Sequence, residues 1–194
     1  MNYFDETIRV LSDSLHSIDS KQVEKLIDQC SETLDNGHKI IVSGLGKNVP
    51  ICDKFVGTMI SLGMEAYFLH TNSAVHGDMG IVKNGDLVII LTKSGETTES
   101  IYLTQKLKKR DIDLWLLTFS DNNTLTKIIP NSIVINMEHE GDIWNIVPNN
   151  STTLNLIVLQ TVAISLAKKR NISIEEFRQN HPGGYIGELL CEDV

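Results

Sequence analysis

The sequence predicts an α/β fold: a three-layer α-β-α sandwich around a five-stranded parallel sheet, preceded by N-terminal helices. Two observations predict it. From residue 39 onward, short apolar runs rich in β-branched residues alternate with segments of helical spacing. That is the pattern of a parallel sheet covered on both faces. In addition, Gly44-Leu45-Gly46-Lys47 and Ser94-Gly95-Glu96-Thr97 each follow such a run and lead into a helix-like segment. An open α/β sheet binds its ligand there, beyond the carboxyl ends of the strands.

The elements follow in order. Residues 4–36 carry helical spacing in two segments, Ile8, Leu11, Leu15 and Ile18, then Val23, Leu26, Ile27 and Leu34. Ser20 is placed to cap the second segment and Gly37 to stop it. This leader, 1–36, lies outside the alternation, and an apolar helix hairpin of that kind is expected to pack on a neighbouring subunit. The α/β core spans 37–170. Strands are expected at 39–43, 65–69, 87–91, 114–118 and 132–135, with helices at 51–62, 97–110 and 124–128. A polar loop, 136–150, precedes a long, largely apolar helix at 151–169, which its composition marks as buried. The closing segment, 171–194, holds a C-terminal helix and the turn His181-Pro182-Gly183-Gly184. With no internal repeat or low-complexity stretch, residues 1–194 read as one domain.

Composition excludes several functions. The 194 residues suffice for one well-buried domain, and 41% hydrophobic with 22% charged residues is an ordinary globular balance. No uninterrupted apolar run approaches the ~20 residues of a membrane helix, and the acidic start lacks the features of a signal peptide. No membrane partner is expected. Cys30, Cys52 and Cys191 are scattered and without metal-ligand spacing, which fits a reduced, cytoplasmic setting. The formal net charge of −8 argues against nucleic acid. It also repels a phosphate ester at long range, so local donors must hold any phosphate.

The residues at the two turns are glycines, hydroxyls, one lysine and a carboxylate, a set suited to a phosphorylated polyol. Gly44 and Gly46 let the backbone approach a ligand, and a helix start favours an anion. Steric need alone accounts for two glycines at a turn; Lys47 favours an anionic ligand. Between Thr92 and Thr97, three hydroxyls surround Gly95. Capping explains one of them; a phosphate, with its three acceptor oxygens, explains all. Glu96 then works on the sugar end. Ser151 and Thr152 open the long helix as a second hydroxyl-bearing start. Glu138 and Asp142 read as solvated surface. His139 has no second ligand at suitable spacing, so no metal site is expected. His76 sits in a glycine-bounded loop, where a lone histidine is more often structural. His181 is fixed by the Pro-Gly-Gly turn and suits acid catalysis of ring opening.

Taken together, Gly44-Leu45-Gly46-Lys47, Val75-His76-Gly77-Asp78-Met79-Gly80, Ser94-Gly95-Glu96-Thr97, Pro148 through Thr153 and Asn180-His181-Pro182-Gly183-Gly184 resemble the sugar isomerase (SIS) domain family. The likeness is greatest to D-arabinose 5-phosphate isomerases. It implies a five-stranded, flavodoxin-like sandwich, assembled as a homotetramer whose sites draw on neighbouring chains. It implies a catalytic lysine at Lys47, catalytic glutamates at Glu96 and Glu140, histidines at His76 and His181, and phosphate-binding hydroxyls at Ser94, Thr97, Ser151 and Thr152. The implied chemistry is cofactor-free: an aldose phosphate and its ketose interconvert through an enediol.

Departures from the family pattern are Asn48, where serine usually follows the lysine, and the polar stretch Gly141-Asp142-Ile143-Trp144-Asn145, where the loop is typically apolar. Trp144 is expected to narrow the sugar end. Many relatives add a C-terminal pair of regulatory CBS domains; the sequence ends just after the Pro-Gly-Gly turn, so an SIS domain without that layer is expected. The rival readings are a non-catalytic phosphosugar sensor and an isomerase of hexulose or heptulose phosphates. A purely structural assembly protein fits the polar turns least.

Overall fold

A computed structural model describes residues 2–191; Met1 of the leader and positions 192–194 of the closing segment lie outside the described residues. The strands are β1 (Ile40–Gly44), β2 (Ala66–His70), β3 (Leu87–Leu91), β4 (Asp113–Thr118) and β5 (Asn131–Val134). All pair in parallel in the order β2-β1-β3-β4-β5. β1 and β3 are buried along their whole length, whereas the edge strands β2 and β5 are partly exposed. Interior position, covered on both faces, is what allows Ile-Ile-Val and Leu-Val-Ile-Ile-Leu to run without alternation.

The pleat divides these runs between two cores. Ile40, Val42, Leu87, Ile89, Trp115 and Leu117 face one side, where α2 (Ser20–Asp35), α3 (Val49–Ser61) and α7 (Asn150–Lys169) cover them. Ile41, Val88, Ile90 and Leu116 face the other, under α5 (Thr98–Leu107) and α6 (Thr124–Ile128). The shortest helix, α4 (Thr71–Ala74), follows β2 directly. Trp115 is fully buried and its indole N–H donates to Gln29 Oε1 at 2.6 Å, tying β4 to α2.

Several details differ from the sequence expectation. Asp19, not Ser20, caps α2; its carboxylate accepts from the Lys21 N–H at 2.9 Å. The leader helices, α1 (Tyr3–His16) and α2, pack on α7 of their own chain. Leu26 is buried there, and Leu11, Leu15 and Ile27 are half-buried against the same core, so these side chains do not by themselves call for a neighbouring subunit. Among the described leader residues, the large hydrophobic side chains that stay exposed are Tyr3, Phe4 and Ile8. Helix α7 has the length and mean hydropathy, 1.2, of a membrane-crossing helix, a feature hidden in the sequence by interspersed Asn, Thr and Ser. It is the central helix of the core instead, with Leu154, Leu159, Val162, Ala163 and Leu166 at zero exposure. The closing segment holds α8 (Ile174–Gln179), with a Ser173–Glu176 capping box, and α9 (Gly184–Cys191), which starts within the Pro-Gly-Gly turn.

Candidate active site

The strand order reverses between β1 and β3, and a cleft of about 260 Å³ opens beyond their carboxyl ends. This is the switch point at which open sheets of this order bind ligands. The turn after β1 forms one wall with Leu45, Gly46, Lys47 and Asn48; the turn after β3 forms the second with Thr92, Lys93 and Thr97; α7 closes the third with Ser151, Thr152 and Asn155.

Local sequence builds each wall. At Gly44 a Cβ would stand 2.9 Å from Asn48 Cβ and 3.0 Å from Cys52 Sγ, and Gly46 has φ of +60°. The first glycine is required for close approach, the second for a left-handed turn. Lys47, at the crest, is exposed. In the second wall Gly95 has φ of +69°, and a Cβ there would lie 2.1 Å from Asn123. Thr97 occupies the N-cap of α5, yet its side chain makes no cap bond, which leaves the hydroxyl free at the cleft. Ser94 is exposed, and its Oγ accepts from the Glu96 N–H at 3.1 Å.

Both glutamates hold helix starts. Glu96 accepts from the N–H and the hydroxyl of Thr124, each at 2.7 Å, at the beginning of α6. Those two donors hold its carboxyl below the usual range. Glu140 has zero exposure at the start of α7. It accepts from Asn149 N (3.0 Å), Ser151 N (2.9 Å) and Ser151 Oγ (2.7 Å), and pairs with Lys93 Nζ at 2.6 Å. Burial pushes this carboxyl up, but the donors from Lys93, Ser151 and Asn149 outweigh it, so it too sits below its ordinary value. The anion position at the α7 terminus is therefore filled by the chain's own carboxylate. Ser151 is engaged with it, and Thr152 Oγ1 donates to Asn149 O at 2.8 Å.

The cleft does not gather every residue that the sequence singles out. Lys47, Gly46, Thr97, Ser151 and Thr152 line it, while Glu140 stands behind Ser151. Ser94, Gly95 and Glu96 belong to the same turn without lining it. His76 is exposed in the turn after α4 and is not among the lining residues. His181 stacks on Phe177 with ring centres 4.1 Å apart; its Nδ1 bonds Phe177 O at 3.0 Å and its Nε2 lies 3.4 Å from Ser61 Oγ. Ser61 ends α3, whose N-cap residue Asn48 lines the cleft. Twelve rises of about 1.5 Å put His181 roughly 18 Å from its own chain's mouth. Trp144 is 68% exposed and does not line the cleft. Asp142, read as solvated surface, instead pins this loop by accepting from the N–H groups of Trp144, Ile146 and Val147 at 2.9–3.0 Å.

Sequence reasoning missed Lys93, Ser100 and Asn155 in the walls. Lys93 lies inside a motif already singled out, but its ion pair depends on Glu140, 47 positions away. Asn155 is one turn after Ser151, so the i,i+4 spacing was the available signal. Among the described residues no cluster of three His, Cys, Asp or Glu side chains could hold a metal ion.

Comparison with known proteins adds to this geometry. The family model described as SIS domain matches residues 33–167. Arabinose 5-phosphate isomerase KpsF of Escherichia coli is 33% identical over 184 residues, 95% of this chain and 56% of that protein. Arabinose 5-phosphate isomerase KdsD of Pseudomonas aeruginosa is 30% identical over 191 residues, 97% of this chain and 59% of that protein. The chain thus spans a little over half the length of these curated relatives. A solved Escherichia coli CFT073 protein in complex with arabinose 5-phosphate is 28% identical and superimposes with a TM-score of 0.86, covering 93% of this chain and 94% of that one.

Proposed function

The chain belongs to the SIS domain family, and on that premise we propose that it is a phosphosugar isomerase, interconverting D-arabinose 5-phosphate and D-ribulose 5-phosphate. The observation that carries this reading is the cleft at the β1–β3 switch point, with Lys47 on one wall and the free hydroxyl of Thr97 on the other. The names of the two curated relatives, and the arabinose 5-phosphate bound in the E. coli neighbour, support this substrate pair over hexulose or heptulose phosphates.

In this reading the 92–97 turn anchors the phosphate through hydroxyls and backbone N–H groups. Lys47 steadies the oxyanion that develops as the carbonyl becomes an enediol, a cation placed where charge appears. The proton moves between adjacent carbons, so the reaction needs one base that removes it and returns it. Glu140 and Glu96 are the two candidates. Both are ionised near neutrality, but Glu140 is closed off by Lys93, Ser151 and two backbone N–H groups. Glu96 is exposed, beside the cleft-lining Thr97, and is the more accessible of the two, with Glu140 as the anchor of the α7 wall. His181 would open the sugar ring from a second copy of the chain, in a homotetramer with shared sites, because its own cleft is out of reach.

One observation favours a second reading. Neither His76, Glu96 nor His181 lines the cleft of a single chain, which suits a phosphosugar sensor that binds without chemistry. Deuterium exchange separates the two. Arabinose 5-phosphate in heavy water gains deuterium at the carbon next to its carbonyl if an enediol forms, and ribulose 5-phosphate accumulates. Tight binding with neither exchange nor turnover assigns the sensor. Light scattering at micromolar concentration tests the assembly, and a monomer that still turns over sugar removes the shared-site role of His181.

A further inference from the structure

Among the described residues three buried side-chain atoms lack a hydrogen-bond partner: His70 Nδ1, Asn150 Oδ1 and Asn155 Oδ1. Of these three residues only Asn155 lines the cleft. Its side chain is 1% exposed, and its Nδ2 donates to Asn48 Oδ1 at 3.0 Å. The bond ties α7 to the turn that carries Lys47, and it fixes the plane of the Asn155 amide, so that the unpartnered oxygen belongs to a side chain held rigidly in the wall. A buried amide oxygen without a donor is rare enough to require an explanation.

The chemistry of the missing group follows from the atom. Oδ1 is an acceptor, so its partner must carry a hydrogen. A fully ionised phosphate carries none, while a sugar hydroxyl both donates and accepts. The phosphate is also drawn elsewhere, to the hydroxyls and N–H groups of the 92–97 turn. On the phosphosugar reading above, this leaves the α7 wall, between that turn and Lys47, for the carbon chain of the ligand.

Resting on the phosphosugar reading above, we propose that Asn155, oriented by Asn48, is a specificity-determining residue whose amide hydrogen-bonds one hydroxyl on the carbon chain of the bound sugar phosphate. A site built around such a bond rejects a ligand lacking that hydroxyl, because the buried group is then left unpaired. Selection acts through Asn155, while affinity for the phosphate end is independent of it.

Binding of D-arabinose 5-phosphate and of its analogues lacking the 2-, 3- or 4-hydroxyl, measured by calorimetry on wild type and Asn155→Leu, tests this. Leucine has nearly the same shape and no hydrogen-bonding group. Wild type is expected to bind one analogue about tenfold or more weakly than the parent, and Asn155→Leu to bind that analogue and the parent alike. Asn155→Ala serves the same comparison if the leucine variant does not fold. Discrimination that is equal in wild type and variant, or absent in wild type, overturns the inference. The failures are distinguishable: a wild type that discriminates in this way yet turns over no sugar loses the isomerase reading and keeps this one. Turnover without discrimination at Asn155 does the reverse.

Discussion

Replacing Glu140 by glutamine tests whether this carboxylate is an anchor. The side chain keeps its shape and loses its charge. Its oxygen can still accept from Asn149 N and Ser151 N, and the new amide NH₂ can donate to Ser151 Oγ, whose hydrogen rotates away. What has no replacement is the bond to Lys93 Nζ, at 2.6 Å in the wild type. Removing one partner of a fully buried ion pair costs about 3–5 kcal/mol. Lys93 is 45% exposed and can turn to water, so the loss is discounted to about 2 kcal/mol. For a chain of this size that corresponds to a fall in Tm of about 4–8 °C.

The pH dependence has a definite sign. The folded-state pKa of Glu140 is lowered, so its stabilisation is fully present above the unfolded carboxyl value of about 4.3. It is lost as pH falls through the folded value. The gap between wild type and Glu140→Gln should therefore be widest near pH 7 and shrink below about pH 4. Thermal unfolding of both proteins at pH 7, 5 and 3.5, followed by circular dichroism, reads it. Equal Tm values at pH 7 would falsify the anchoring argument, and so would a gap that grows on acidification.

Three further outcomes are expected. Thr97→Val removes a cleft hydroxyl that caps nothing, so Tm should hold while KM rises; loss of a hydrogen bond to a charged group, about 1.5–3 kcal/mol, corresponds to at least tenfold. An unchanged KM in steady-state assays would take Thr97 out of phosphate binding. Gly95→Ala adds a left-handed backbone penalty of about 1–2 kcal/mol and drives its Cβ into Asn123, which caps α6; urea denaturation should show a loss larger than the backbone penalty alone, and a neutral result would contradict the packing of that turn. Chelator should leave turnover unchanged, since enediol chemistry can run on protein acids and bases; activity lost in chelator and restored by one divalent ion would show that a metal takes part.

The parallel sheet was legible in the chain because its cause is local. Interior strands buried on both faces must be apolar throughout, so 87–91 could be read to the residue, while 39–43 and 132–135 each lay one residue from the observed bounds. The SIS family, too, could be recognised from five short motifs in order, and the match over residues 33–167 bears it out. Capping was less legible, because Asp19 and Ser20 both cap well and only the chain's entry angle chooses between them.

What the sequence alone determined, then, is which residues are small, charged or hydroxyl-bearing at the two strand-to-helix turns. Only the tertiary structure decided what each of them faces. Lys93 and Glu140 meet because parallel β3 and the start of α7 converge at one end of the sheet, and Asn48 reaches Asn155 across 107 positions for the same reason. Ser151 looks like a free hydroxyl in the sequence and is committed to a carboxylate in the fold. His181 ranks with the turn motifs when the chain is read as text, yet it stands about the length of α3 away from them in space. Local propensity is set by neighbours in the chain; hydrogen-bond partners and burial are set by which strands the crossovers bring together, and no spacing along the sequence encodes that.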